Sequence, residues 1–226
     1  MKAPIKRLRK ADIVWLSEHR CKHGITYLEH YNCFLSEKPD QSPVSERVGF
    51  LDIEATNLHA DFGYVFSYAI KERDGGILGR VLTPHEIKSF IFDERLMGEF
   101  CSDVRKFDRI IVYYGHDYRF DIPFLRTRSI KYRLDFPLYK DVYVQDAFTV
   151  VKSKLRLHRN RLETACDEFG IPCKGHRLSP DIWQKAQAGH EGSLEYIWEH
   201  NKEDVYSLEA LWELLEPYVL RSKRSV

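Results

Sequence analysis

The chain has 226 residues, a formal net charge of +1, and 43% apolar, 13% aromatic and 31% charged residues. This excludes a disordered or fibrous protein and fits one sizeable domain, or one domain with a small appendage. No segment approaches the roughly 20 apolar residues of a membrane span, and the basic N-terminus lacks the apolar core of a signal peptide, so no membrane association is expected. The near-balanced charge leaves a nucleic-acid partner open, because clustered acids offset a basic surface. Five cysteines, an odd number with no framework spacing, point to a reducing, cytoplasmic setting.

Residues 1–47 differ from the remainder. Lys2, Lys6, Arg7, Arg9 and Lys10 form a basic arm, residues 37–43 read as a linker, and Cys21, His23, His30 and Cys33 lie between them. Thiolate and imidazole are preferred zinc ligands, so these four are candidates for a site holding a structural Zn2+. Their C-x-H-x6-H-x2-C spacing is not a standard one, and an arm that packs or contacts a partner is the alternative.

From residue 48 to 226 the pattern is mixed α/β. The run Val48-Gly-Phe-Leu-Asp-Ile-Glu54 predicts a buried strand in which Asp52 and Glu54 share one face with Phe50. Two like charges there are unfavourable unless a cation or proton lies between them, whereas acids on a surface hairpin need no such partner. Residues 64–72 and 77–83 flank Asp74-Gly75-Gly76, a hairpin signal, so three antiparallel strands open the domain. Thr83, Pro84 and Glu86 predict a capped helix start, with helix continuing to about Lys106 and a break near Gly98. A compact apolar strand follows over 109–114, then a helix over 122–132 and a short strand over 143–146. Asn160 and Gly170 bracket a further helix. In the last helix, from Ser193 to Pro217, residues such as Leu194, Ile197, Val205, Leu208 and Trp212 recur at helical spacing.

Three more acids accompany these elements. Asp121 stands at a helix start, where a carboxylate is favoured electrostatically and capping is the simple explanation. Asp204 lies four residues after His200 on one helix face, an arrangement that a stabilising i, i+4 pair would also explain. Asp146 is either a substrate-side support or a plain strand-end acid. Two basic clusters flank the middle of the domain: Arg126, Arg128, Lys131 and Arg133, then Lys152, Lys154, Arg156, His158, Arg159 and Arg161. Both can be solvated helix faces, but the second, with Lys154, Arg156 and Arg159, is the candidate phosphate contact.

The motifs L-D-I-E-A-T-N-L, G-H-D-Y-R-F-D-I-P-F-L and H-N-K-E-D-V, in that order over residues 48–216, resemble the DEDD (DnaQ-like) 3′–5′ exonucleases. The second motif is similar to that of family B DNA polymerase proofreading domains. The resemblance implies an RNase H-like fold, a mixed sheet of three antiparallel then parallel strands flanked by helices. It implies two Mg2+ or Mn2+ ions held by Asp52, Glu54, Asp121 and Asp204, with Asp52 bridging them, and His200 serving the attacking water. His200 occupies the spacing that the family often gives to Tyr, and Tyr196 is its competitor. Asp117 stands where the polymerase motif commonly has Asn. The loop Ala55-Thr56-Asn57-Leu58 would receive the terminal nucleotide, with Leu58 against a base. The expected activity is hydrolysis of DNA or RNA from a single-stranded 3′ end. A catalytically silent nucleic-acid-binding module and a structure-selective endonuclease are the alternatives.

Overall fold

One five-stranded sheet, in the order β3-β2-β1-β4-β5, carries the larger part of the protein. The strands are β1 Val48–Ala55, β2 Val65–Glu72, β3 Ile77–Val81, β4 Arg109–Val112 and β5 Tyr143–Asp146. They are seen in a computed structural model that describes residues 10–37, 46–116, 119–138, 141–173 and 177–219. Lys2, Lys6, Arg7 and Arg9 of the basic arm, residues 38–43 of the expected linker, and Asp117 lie outside the described residues. The chain divides into two compact units, Met1–Glu46 and Arg47–Val226.

In the larger unit β1 lies in the middle of the sheet, antiparallel to β2 (Asp52 opposite Ala69, Glu54 opposite Ser67) and parallel to β4 (Phe50 opposite Ile111). β2 and β3 pair antiparallel, and β4 and β5 pair parallel. Antiparallel strands thus come first and parallel strands after, as expected. A central strand is covered on both faces, which is why β1 reads as an unbroken apolar run before its acids. Leu51 and Ile53 pack with Leu96, Phe100 and Leu125, from α4 (Glu94–Val104) and α5 (Asp121–Lys131). Phe50 packs with Val205, Leu208 and Trp212 of α9, Glu191–Leu215. Because Asp52 and Glu54 share the Phe50 face, they point toward α9.

The capping box at Thr83, whose side chain accepts from the Glu86 N–H, opens α3 (Pro84–Lys88) as predicted. The helix break falls over residues 89–93 and not at Gly98, which is interior to α4. Phe90 and Phe92 adopt positive φ there, and buried Asp93 accepts from the Val65 N–H and pairs with Arg128. Strand β4 ends at Val112, two residues early, because Tyr114 has φ 61 and its N–H donates to Asp146.

In the larger unit two helices are not legible in the pattern: α6 (Ala147–Lys154), opened by an Asp146 side-chain cap, and α8 (Pro180–Gln187), opened by Ser179. The residue at the cap of α7 (Leu162–Glu168) is Arg161 rather than Asn160, and Gly170 at φ 65 follows its end.

The smaller unit contains α1 (Lys10–Glu18), a bridge between Arg20 and Thr26, and α2 (Tyr31–Glu37). Its buried cluster is Leu16, Cys21, Tyr27, Cys33 and Phe34.

Candidate active site

Asp52 and Glu54 leave the C-terminal end of β1 on one face, and a register irregularity between Glu54 and Ala55 ends the regular pairing with β2. Bulges of this kind redirect a strand where side chains must be aimed. Asn201 of α9 donates from Nδ2 to Asp52 Oδ2 at 2.7 Å, and its Oδ1 accepts from Ser67 Oγ at 3.1 Å. Burial holds the Asp52 carboxyl well above the usual carboxylate range. The charges of Asp204, Asp121 and Glu54 raise it further, against the lowering effect of the Asn201 hydrogen bond. All four acids are therefore within electrostatic reach of one point.

Asp121 is the first residue of α5; Phe120 occupies the cap position and makes no side-chain cap bond. The carboxylate is buried, and burial raises it well above the usual range, with the Asp146 charge adding to the rise. It is seated against Gly115: a Cβ there would come within 2.0 Å of Asp121 Oδ2 and 2.9 Å of Val112 Cβ. Only glycine leaves room for this approach.

Asp146 holds the preceding loop. It accepts from the N–H groups of Tyr114 (2.9 Å), His116 (3.2 Å) and Phe148 (2.9 Å) and from Arg119 Nη1 (2.5 Å). Arg119 in turn lies 4.6 Å over the Phe148 ring. Asp146 is thus committed to shaping the turn from β4 into α5.

α9 supplies the remaining groups. His200 Nε2 lies 3.4 Å from Glu54 Oε1 and 3.5 Å from Asp204 Oδ2, and ligand atoms of Glu54, His200 and Asp204 all fall within 4.8 Å of one another. The buried Nδ1 of His200 has no hydrogen-bond partner among the described residues, so the ring's described polar contacts are to the acids. Tyr196 lies farther back on the helix, where its hydroxyl donates to the Arg177 carbonyl at 3.3 Å. The donor set is four carboxylates and one imidazole, oxygen-rich and suited to hard divalent cations such as Mg2+ or Mn2+.

Around the acids, Thr56 Oγ1 accepts from the Tyr64 N–H at 3.0 Å and closes the loop after β1. Ala55 and Thr56 are half-buried, while Leu58 (78%) and Phe62 (83%) project into solvent. Lys154, Arg156 and Arg159 are exposed at and beyond the end of α6. Arg159 and Arg161 line an open groove that also carries Glu163, Asp167 and Glu168 and does not include the catalytic candidates. The first basic cluster is not a uniform solvated face: Arg128 is buried and its guanidinium grips both oxygens of Asp93. In the smaller unit Cys21, His23, His30 and Cys33 also converge, with one ligand atom each within 4.8 Å.

Asn201, Gly115 and Arg119 are functional candidates that the sequence reading did not single out. Asn201 carried a signal, a polar residue three positions before Asp204 on the helix face otherwise built of Ile197, Val205 and Leu208. Gly115 and Arg119 lie inside the second motif but carried no signal of their own, because the room that Asp121 needs beside Gly115 is a feature of the folded turn and the Asp146 partner of Arg119 is 27 residues away.

No curated protein matches the sequence. The backbone is similar to that of the family B DNA polymerase from the hyperthermophilic archaeon Pyrobaculum calidifontis. The TM-score is 0.62 at 19% identity, over 80% of this chain and 26% of the polymerase chain. It is also similar to the zinc-ion-bound form of an E. coli exonuclease I–ssDNA complex, with a TM-score of 0.51 at 15% identity, over 78% of this chain and 42% of that one. The chain therefore spans about a quarter of the polymerase and less than half of the exonuclease. At these identities the likeness shows the fold, a mixed sheet flanked by helices. Residues 49–216 match the family model described as the RNase H superfamily, and by that match the chain belongs to this superfamily.

Proposed function

We propose that the protein is a divalent-metal-dependent nuclease of the DEDD type that removes nucleotides from single-stranded 3′ ends. The observation that carries this reading is the convergence of Asp52, Glu54, Asp121 and Asp204 from β1, α5 and α9, with His200 Nε2 between two of them. Four acids gathered in a partly buried place destabilise one another unless cations or protons bind there. Such ions, when bound, polarise the phosphate and acidify a water.

Each residue then has a role set by its position. Asp52, Glu54, Asp121 and Asp204 hold the cations, and Asn201 keeps the Asp52 carboxylate turned in one orientation. His200 takes the proton of the attacking water at Nε2 as the bond from that water to phosphorus forms and the bond from phosphorus to the 3′ oxygen of the penultimate nucleotide breaks, that oxygen taking up a proton from solvent. Glu54 and Asp204 flank Nε2 and stabilise the imidazolium that this transfer creates. Leu58 and Phe62, exposed at the rim, offer apolar surface against which unpaired bases stack. Lys154, Arg156 and Arg159 contact the phosphate backbone without reading bases. The 3′–5′ polarity rests on the three motifs and their resemblance to the DEDD exonucleases.

The test is incubation of 5′-labelled and 3′-labelled single-stranded DNA and RNA with Mg2+ or Mn2+. A 5′-labelled strand shortened stepwise from its 3′ end, with loss of that activity in Asp52→Asn and Asp204→Asn, is the expected result. Internal cuts would replace the exonuclease reading by an endonuclease one. Binding without cleavage in any metal would make the chain a silent nucleic-acid-binding module.

A further inference from the structure

We propose that Cys21, His23, His30 and Cys33 bind one structural Zn2+ through two thiolates and two imidazole Nδ1 atoms, and that this ion holds the Met1–Glu46 unit folded. The inference is independent of the nuclease reading, since it concerns other residues in the other unit.

The geometry is that of a tetrahedron. With Zn–S near 2.3 Å and Zn–N near 2.0–2.1 Å, tetrahedral angles place each sulfur about 3.5 Å from each nitrogen. Two sulfurs and two nitrogens have four such edges. The structure gives 3.7 Å for Cys21 Sγ to His23 Nδ1, 3.5 Å for Cys21 Sγ to His30 Nδ1, 3.3 Å for Cys33 Sγ to His23 Nδ1 and 3.5 Å for Cys33 Sγ to His30 Nδ1. The two cysteines are not joined as a disulfide.

Local backbone explains how an unusual spacing reaches this geometry. The Gly24 N–H donates to the Cys21 carbonyl at 2.9 Å in a tight turn with Gly24 at φ 76. The Arg20–Thr26 bridge closes a small hairpin around it, which presents Cys21 and His23. His30 and Cys33 come from the first turn of α2 and the residue before it, joined by the Cys33 N–H to the His30 carbonyl at 2.9 Å. Four protein ligands leave no open position, which marks a structural rather than a catalytic zinc.

The size of the core gives the ion its purpose. Two of the five buried side chains in the unit's cluster are the cysteines themselves. A segment this small commonly needs a metal or disulfide to stay folded.

The experiment uses the full chain, purified without added metal. Elemental analysis should find one zinc per chain, retained in Asp52→Asn and lost in Cys21→Ser/Cys33→Ser. Replacement by Co2+ should give a thiolate-to-cobalt charge-transfer band, which the carboxylate and imidazole groups of the candidate active site cannot produce. Zinc extraction by a chelator should remove hydrogen-exchange protection from residues 10–37 while leaving β1 and α9 protected. Should the double variant precipitate, the wild-type cobalt spectrum and the extraction decide the matter. A wild-type chain without the cobalt–thiolate band, or one that keeps residues 10–37 protected after losing zinc, would overturn the proposal.

Discussion

Asn201 fixes both ends of its amide, donating to Asp52 and accepting from Ser67, so it orients the carboxylate that the other three acids crowd. Partners of metal-binding carboxylates commonly matter by about 10- to 100-fold in affinity or activity. Asn201→Ala is therefore expected to lower nuclease activity by about 10- to 100-fold and to raise the Mg2+ concentration needed for half-maximal rate. A metal titration of the rate checks this; an unchanged metal requirement would remove Asn201 from the site.

The raised carboxyls of Asp52 and Asp121 make a second prediction. Each binds its proton more tightly folded than unfolded, so its contribution to stability is complete below the ordinary carboxylate range of about 4 and is lost as pH rises through the higher folded value. In chelator, the Tm should fall as pH is raised from that range, and Asp52→Asn should flatten the fall. Adding Mg2+ should reverse it, because cations favour the ionised acids. Thermal melts against pH with and without metal test the sign.

Helix α5 brings Asp121 to the site, and a buried pair holds that helix in place. Arg128 donates to Asp93 from Nε at 2.9 Å and from Nη2 at 2.5 Å, and its Nη1 donates to the Ala60 carbonyl at 3.1 Å. Tyr132 Oη also donates to Asp93 at 2.7 Å. Removing one partner leaves an uncompensated buried charge, which costs about 3–5 kcal/mol. Arg128→Ala should destabilise by about that amount in denaturant unfolding, and Arg128→Lys should restore little, since an ammonium cannot grip both oxygens. A small loss in both would mean that the pair does not anchor α5.

Elements whose local signals agree with their packing were legible. The capping box at Thr83, the hairpin at residues 74–76 and the apolar stripe of α9 all appear where the pattern places them. Helix α6 was hidden because its Phe, Thr and Val residues suit a strand, while its helix depends on the Asp146 cap and on burial of Ala147 and Val151. The misplaced break at Gly98 has the same origin. Glycine weakens a helix by only about 1 kcal/mol, whereas the buried Asp93 anchor fixes where the chain turns.

At the scale of the whole molecule the net charge of +1 conceals opposite local balances, acids gathered at one end of β1 and basic side chains after α6. Lys154, Arg156 and Arg159 are exposed, and among the described residues none has an ion-pair partner. If they contact phosphates, each accounts for about one unit of slope in log affinity against log salt. Replacing all three by Ala should reduce that slope by about three and weaken DNA and RNA binding without changing sequence preference. Fluorescence titrations of a labelled single strand over a salt series measure it, and an unchanged slope would place the backbone elsewhere. Among the described residues no helix is long and apolar enough to cross a membrane.

By itself the sequence indicated a mixed sheet of antiparallel then parallel strands, and its composition set the first 47 residues apart from the rest. It also named the four acids with His200 and the four Cys and His side chains. Periodicity and short motifs encode those features, because strand alternation and helical spacing are local properties of the chain. Only the tertiary structure decided which groups meet: Asn201 with Asp52 across 149 positions, Gly115 beneath Asp121, Arg128 withdrawn from the surface to Asp93, and His200 rather than Tyr196 beside Glu54. Those meetings depend on how β1, α5 and α9 pack around one sheet end, and no spacing along the chain records that packing.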